Sequence, residues 1–97
     1  MLITNVLGRE VRVEYGDRDP TSGALGRSDS STDRILIWGG MSDAGLQSML
    51  GHEWLHLVSE YLGLELTEKQ VLGLEVALFQ AGFRVPVIDT AADQKAQ

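Results

Sequence analysis

The hydrophobic pattern of this chain changes its period near the middle, and this change limits the possible folds more than any other feature of the sequence. Arg9 to Tyr15 (REVRVEY) alternates polar and apolar residues, as a half-buried strand does, and Arg34 to Trp38 (RILIW) has the strongest strand pattern. After the predicted N-cap Ser42-Asp43, apolar residues recur at helical spacing as far as Gly63. We therefore predict an α+β fold in which the sheet comes first and the helices follow.

A second helix begins at Thr67, because Thr67 and Gln70 have the spacing of a capping box. Gly82 is a natural stop for this helix. Since the link between the two helices is short, we expect them to form an antiparallel hairpin. The predicted architecture is a small antiparallel sheet of about two to four strands, packed on a two-helix hairpin. Residues 1–84 would form a single domain, and residues 85–97 an extended, flexible C-terminal tail.

Weaker strand patterns and turns surround these elements. Met1 to Leu7 and Ala24 to Ser28 are further strand candidates, and Gly16 to Gly23 (GDRDPTSG) is a turn-rich connector. Gly39-Gly40 would end the strand that precedes the first helix. These segments supply the additional strands and the reversals that a small sheet requires.

Composition argues against several classes of function. The net charge of −6 and the pI near 4.7 disfavour nucleic acid as a partner, because phosphate binding needs a surplus of Lys and Arg. The chain has no cysteine, which excludes disulfides and thiolate metal sites. Its apolar stretches are too short to span a membrane, and Met1 to Gly8 has no pattern of a secretory signal. We therefore expect a soluble cytoplasmic protein.

The segment His52-Glu53-Trp54-Leu55-His56 reads HExxH and lies well inside the first predicted helix. At about 3.6 residues per turn, side chains four apart stand on one helix face, so both imidazoles can bind one ion. Zinc accepts neutral imidazole nitrogens and prefers four ligands in a tetrahedron. Glu53 is displaced sideways from this face, where it can take a proton from a water on the metal. The motif predicts a Zn²⁺ site with His52 and His56 as ligands and Glu53 as the general base.

The third protein ligand has to be a carboxylate, because both histidines of the chain belong to the motif. The second helix offers Glu68 and Glu75. Glu75 lies within an apolar stripe, where an unpaired carboxylate is costly, and in an antiparallel hairpin it would lie opposite the histidines. Glu68 has another explanation, since a negative charge in the first turn complements the helix dipole. These residues alone favour Glu75 and leave Glu68 open.

The run from Gly51 to Gln80 (GHEWLHLVSEYLGLELTEKQVLGLEVALFQ) resembles small phage and prophage metallopeptidase-like proteins related to the ImmA/IrrE-type metallo-endopeptidases. In those proteins a short sheet precedes an HExxH helix, and a second helix opens with an acidic residue before a V-x-x-L stripe, here Glu68 before Val71 and Leu74. The resemblance implies a minimal zincin-like fold and gluzincin-like peptide hydrolysis, with one Zn²⁺ per chain. It implies Glu68 as the third ligand, with Glu75 as the alternative. It also implies a phage or prophage protein in the cytoplasm of a bacterial host.

The function that follows is zinc-dependent hydrolysis of a peptide bond without a covalent intermediate. The substrate would be a peptide or protein bound as an added strand on a sheet edge, with Arg34 to Trp38 or its neighbour as the candidate edge. One alternative is a non-catalytic, zinc-stabilised phage protein that acts as a protein-binding module. Another is a helix hairpin that binds a partner and holds no metal.

Three further residues are candidates for accessory roles. Glu60 continues the histidine face by another turn, so it would either orient a ligand histidine or be a solvated helix residue. Tyr15 and Tyr61 could supply a hydroxyl to the oxyanion that develops during hydrolysis. Tyr61 also has the spacing of a core residue, which we favour for it.

Overall fold

The computed structural model describes residues 1–16, 25–39 and 42–90, and within these residues it contains five strands and two helices. In chain order they are β1 (Leu2–Val6), β2 (Arg9–Gly16), β3 (Gly26–Asp29), β4 (Arg34–Trp38), α1 (Asp43–Leu62), α2 (Glu68–Gln80) and β5 (Ile88–Asp89). α1 packs on the sheet and α2 packs on α1. The predicted α+β class is confirmed, with one strand more than the sequence indicated.

The described strands form one sheet in the order β3-β4-β2-β1-β5. Leu7 and Gly8 take positive φ angles of 53° and 83° in the two-residue turn that joins β1 to β2 as a hairpin. β4 pairs with β2 in parallel, so that Val13 lies opposite Ile35, whereas the other described pairs are antiparallel. The sheet is therefore mostly antiparallel, as expected, with one parallel pair. The parallel pair arises because the chain passes from β2 to the edge strand β3 and then turns back into β4, which lies between them.

This order decides which strand is available for an added peptide. Arg34–Trp38, the first of the two candidate edges, is β4 and lies between β3 and β2. The expectation that it is an edge is wrong, because both of its sides are already paired. Its neighbour β3 is an edge strand.

The hydrophobic core lies between one face of the sheet and α1. Alternate residues of β2 and β4 point into it, because side chains along a strand alternate between its two faces. α1 contributes Leu50 and Leu57, which lie on one helix face because they are two turns apart. The buried members are Val6, Val11, Val13, Ile35, Ile37, Leu50, Leu57 and Val85. This packing fixes the rotation of α1 about its axis and so decides where the histidine face points.

The helix ends match the predicted caps. Ser42 caps α1, and Gly63 ends it in the left-handed conformation with φ of 66°. Thr67 and Gln70 form the predicted capping box of α2, and Gly82 follows its end with φ of 94°. In the described part of the chain, neither helix combines the length and the apolar composition needed to cross a bilayer.

The segment after α2 is extended, as expected, but its first residues belong to the fold. Val85 is 3% exposed, and Thr4 Oγ1 donates a hydrogen bond of 2.7 Å to the Pro86 carbonyl. Ile88–Asp89 then pairs with β1 as β5. A flexible tail therefore does not begin at residue 85, because the core and the β1 edge hold residues 85–89.

Three predicted features fall partly or wholly outside the described residues. They are the connector at 16–23, beyond its first residue, the start of the strand candidate at 24–28, and the second glycine of the pair at 39–40. The polar tail from residue 91 onward also lies outside them. The site is built from described residues alone.

Candidate metal centre

α1 places the two histidines of the HExxH motif on one face, one turn apart. The Nε2 atoms of His52 and His56 lie 3.2 Å from each other, and the rings meet edge to face with centroids 4.8 Å apart. Both side chains are partly buried, at 13% and 23% exposure. Neutral imidazoles that carry their protons on Nδ1 turn both Nε2 electron pairs toward one point, where they can share a cation.

Glu68 brings a carboxylate to the same point. Its Oε2 lies 3.2 Å from His52 Nε2, and its Oε1 lies 2.5 Å from His56 Nε2. The connecting loop sets this position, because the buried Ser59 hydroxyl of α1 accepts a hydrogen bond of 3.0 Å from the Leu66 N–H. The start of α2 is thereby held beside the histidines, although the Glu68 side chain is 73% exposed.

The donor atoms fit a zinc ion. Zinc bonds of about 2.0–2.2 Å in a tetrahedron put neighbouring donors roughly 3.3–3.6 Å apart. The separation of the two Nε2 atoms and the separation of His52 Nε2 from Glu68 Oε2 are both 3.2 Å. Glu68 Oε1 lies nearer to His56 Nε2, at 2.5 Å, so this pair has to separate to share an ion. Two imidazoles and one carboxylate are also a donor set of catalytic zinc sites, which keep a fourth position for water or substrate. The residues present therefore fit a catalytic Zn²⁺.

Glu53 lies beside this cluster in the position of a base. It is 6% exposed, and one of its oxygens lies within 4.8 Å of a nitrogen of each histidine. Burial raises the pKa of the Glu53 carboxyl to about 7; His56 opposes this rise, and the charges of Glu68 and Glu75 add to it. A carboxyl that exchanges its proton near neutral pH suits general acid–base chemistry.

His52, Glu53 and His56 are a second set of side chains whose donor atoms lie within 4.8 Å of one another. Glu68 is the better third ligand, because its oxygens lie at 3.2 and 2.5 Å from the two Nε2 atoms. For the buried Glu53, the distance from a carboxylate oxygen to a nitrogen of each histidine is at most 4.8 Å. Glu68 therefore lies closer to both Nε2 atoms than the 4.8 Å range given for Glu53 requires.

The backbone of the edge strand β3 approaches the Glu53 side chain closely at Gly26, and this contact was not predicted from the sequence. A Cβ atom at Gly26 would lie 2.9 Å from Met49 Cγ and 3.3 Å from Glu53 Cγ. Glycine permits this approach because it has no side chain. The one signal in the sequence is a glycine within a short strand pattern, which often marks a close approach of the backbone to a neighbour.

Glu75 lies on the other side of His52. It is 7% exposed, and its Oε1 accepts a hydrogen bond of 2.9 Å from Ser48 Oγ. Its Oε2 lies 3.7 Å from His52 Nδ1, the ring nitrogen other than the one that meets His56. The two nitrogens of one imidazole point in different directions and cannot face the same ion. The structure thus brings Glu68, and not Glu75, to the Nε2 pair.

The three accessory candidates make other contacts. Glu60 is exposed, and among the described residues no hydrogen bond or ion pair joins its side chain to either histidine. The Tyr61 hydroxyl donates to Asp33 Oδ1 at 2.5 Å, and Arg9 donates to the same oxygen at 3.2 Å. Burial, together with this hydrogen bond, raises the pKa of Tyr61 to about 12. Tyr15 lies near the end of β2 and is 45% exposed.

An open cleft of about 410 Å³ adjoins His56. It lies between the turn that follows β3 and the last turns of α1. Its lining residues are Ser30, His56, Ser59, Glu60, Gly63, Glu65 and Leu66. The cleft therefore adjoins both the histidine pair and the end of β3.

No protein-family model matches this chain. Comparison with curated proteins and with solved structures finds no significant match either. The resemblance of residues 51–80 to the ImmA/IrrE-type metallo-endopeptidases therefore stays a prediction, and the function has to be argued from the site itself.

Proposed function

We propose that this chain is a zinc-dependent metallopeptidase in which His52, His56 and Glu68 hold one Zn²⁺ and Glu53 is the general base. The observation that carries the proposal is the cluster of donor atoms. The two imidazole Nε2 atoms lie 3.2 Å apart, Glu68 Oε2 lies 3.2 Å from that of His52, and a buried carboxylate lies beside them; these two separations suit neighbouring donors on one zinc ion.

The chain's own contribution to the reaction is the movement of one proton. Zinc, when bound, polarises the peptide carbonyl and lowers the pKa of a water to about 7. Glu53 accepts a proton from the attacking water and passes it to the amine nitrogen that leaves. Glu53 is 6% exposed and lies beside both histidines, so its carboxylate is held next to the place where the water would be activated. Glu53 forms no bond to the peptide, because water is the nucleophile.

Among the described strands β3 pairs only with β4, and its other edge supports a peptide or protein substrate that binds as an added strand. The Trp38 N–H donates to the Leu25 carbonyl at 3.0 Å, so the alternating pattern of an antiparallel pair turns the backbone groups of Gly26 and Ser28 away from β4. Such outward N–H and C=O groups are the ones with which an extended peptide pairs. Since Gly26 rests on Glu53, a peptide on this edge would pass directly beside the base.

The net negative charge of the chain favours a peptide or protein partner over nucleic acid or a membrane. A net charge of −6 opposes binding to the phosphates of nucleic acid and to the anionic surface of a membrane. We extend the proposal to a phage or prophage protein in the bacterial cytoplasm, which the resemblance implies and with which the absence of cysteine is consistent.

Glu53→Gln tests the proposal, because glutamine keeps the size of the buried side chain but cannot act as the base. We expect zinc-loaded wild type to cleave quenched fluorescent peptides from a mixed library, and a chelator to stop the cleavage. E53Q should bind zinc like the wild type and cleave at least about 100-fold more slowly. Glu10→Gln, an exposed change of the same kind on β2 and outside this cleft, is the control and should stay active. Undiminished cleavage by E53Q, or cleavage that persists without metal, would refute the mechanism.

The outer face of α2 supports a second function, that of a zinc-stabilised protein-binding module without catalysis. Leu72 and Val76, which are four residues apart and so share one helix face, are 53% and 47% exposed, and adjoining exposed apolar side chains of this kind often mark a binding site. Zinc would then serve to join α2 to α1 through Glu68. Zinc uptake that raises the melting temperature, with no cleavage of any library peptide by the wild type, would favour this function over hydrolysis.

A further inference from the structure

Glu75 is a buried carboxylate that the proposed hydrolysis leaves without a role. It is 7% exposed, whereas Leu74 and Val76 beside it are 42% and 47% exposed. α2 therefore turns the acid inward and leaves these apolar neighbours in solvent. Burying a carboxylate costs free energy unless the group is paired or hydrogen-bonded. An acid at a position where an apolar side chain would pack without this cost points to a role beyond packing.

Two residues of α1 meet the Glu75 carboxylate. Ser48 Oγ donates to Oε1 at 2.9 Å, and His52 Nδ1 lies 3.7 Å from Oε2. Ser48 and His52 are four residues apart and so share one helix face. The contact with His52 is electrostatic at this distance and is longer than a hydrogen bond. Ser48 thus holds one oxygen of the carboxylate, and the other is presented to the imidazole.

This contact favours one form of the His52 ring. A carboxylate beside Nδ1 stabilises the tautomer that carries its proton there, and this leaves the Nε2 electron pair free. Nε2 is the atom that lies 3.2 Å from both His56 Nε2 and Glu68 Oε2. We infer that Glu75, held by Ser48, is a positioning residue that orients His52 and fixes its tautomer so that Nε2 faces the metal.

The inference rests on the proposed zinc site, and it gives Glu75 a role different from that of a ligand. His56 provides an internal reference, because its ion pair in the described part of the chain involves Nε2 and not Nδ1. A change at Glu75 should therefore alter the ring of His52 and leave that of His56 as it is. A general loosening of the helix hairpin would affect both rings.

Two measurements on the full chain test the inference. Long-range ¹H–¹⁵N correlation spectra of the zinc-free protein report the tautomer of each histidine, and competition with a chromophoric chelator reports zinc affinity. In Glu75→Ala we expect the Nδ1–H tautomer of His52 to be lost in favour of a mixture, and zinc affinity to fall by about 10- to 100-fold. Glu75→Gln keeps an acceptor oxygen, so it should restore the tautomer and most of the affinity. Glu60→Gln should match the wild type in both measurements.

The outcomes separate this inference from the proposed function. Wild-type affinity in Glu75→Ala, or lower affinity with an unchanged His52 tautomer, overturns the positioning role. A wild type that takes up no zinc refutes the metal site, while a His52 tautomer that depends on Glu75 would still support the contact. If Glu75→Ala does not fold, Ser48→Ala replaces it and should shift the tautomer and the affinity in the same direction by smaller amounts. A folded Ser48→Ala variant without either shift would overturn the role assigned to Ser48 and Glu75.

Discussion

The start and the middle of α2 each direct one carboxylate toward α1, and the two carboxylates differ in almost everything except charge. The Glu68 side chain is 73% exposed and meets the Nε2 atoms of both histidines. The Glu75 side chain is 7% exposed and meets Nδ1 of His52. Burial is therefore a poor guide to which acid binds the metal, whereas the ring nitrogen that the acid faces distinguishes a ligand from a residue that holds a ligand in place.

Removal of the exposed carboxylate tests this comparison with the largest expected effect. In Glu68→Ala we expect zinc affinity to fall by more than about 100-fold, beyond the range typical of residues that only hold a ligand, and cleavage to be lost. The zinc-free protein should keep its free energy of unfolding within about 1 kcal/mol, because the side chain is exposed. Chelator competition and thermal unfolding with and without zinc measure these changes.

Glu65→Gln is the control for this variant, since it removes an exposed charge of the same loop region. It should bind zinc like the wild type. A larger loss of affinity in Glu75→Ala than in Glu68→Ala would reverse the roles of the two carboxylates.

A smaller effect on cleavage is expected from a change at Gly26, where β3 lies close to Glu53. The Cβ of Gly26→Ala would lie 2.9 Å from Met49 Cγ and 3.3 Å from Glu53 Cγ, so these side chains must shift. We expect the free energy of unfolding to fall by about 1 kcal/mol and cleavage to slow by at least about 10-fold. Zinc affinity should stay unchanged, because none of the atoms nearest to the added Cβ belongs to His52, His56 or Glu68.

Gly73→Ala in α2 is the matched control, because a Cβ atom there meets nothing within 4 Å. It should raise the free energy of unfolding by about 0.5–1 kcal/mol without affecting cleavage. Full activity in Gly26→Ala would mean that β3 does not set the position of the base.

The smallest expected effect is on the pKa of Tyr61, whose hydroxyl donates to the carboxylate of Asp33, outside the histidine cluster. Burial and the hydrogen bond to Asp33 raise the pKa of Tyr61 from 10.0 to about 12. Because the folded-state pKa is the higher one, the stability that neutral Tyr61 contributes is complete below about pH 10 and is lost as the pH rises through 12. In Tyr15→Phe, which leaves Tyr61 as the one tyrosine, spectrophotometric titration should show ionisation near pH 12. Adding Asp33→Asn should move the pKa toward 10; ionisation already near 10 with Asp33 in place would show that this hydrogen bond does not form in solution.

The features that could be predicted from the sequence depend on neighbours close along the chain. The alternation of β2, the Thr67–Gln70 capping box and the HExxH spacing each need only one strand or one or two helical turns. The buried position of Glu75 could also be inferred, because its apolar neighbours indicate the stripe in which it lies. These local signals were sufficient for the α+β class and for the histidine pair.

The features that could not be predicted depend on packing between distant segments. β4 became an inner strand because β3 pairs on its outer side, and β3 carries only a weak pattern of its own. The choice between Glu68 and Glu75 depends on how α2 is placed against α1, which the Ser59–Leu66 hydrogen bond helps to fix. Spacing along α2 cannot reveal which ring nitrogen a carboxylate meets.

The central claim is that one zinc ion is bound by His52 and His56 through Nε2, with Glu68 as the third ligand. A crystal structure of the zinc-loaded protein tests it most directly. The account predicts zinc at about 2.0–2.1 Å from both Nε2 atoms and about 2.0–2.2 Å from a Glu68 oxygen, with Glu53 outside bonding distance and Glu75 beside Nδ1 of His52. Zinc bound through Glu75 or Glu53 in place of Glu68, or imidazole rings that stand apart with no metal between them at saturating zinc, would contradict it.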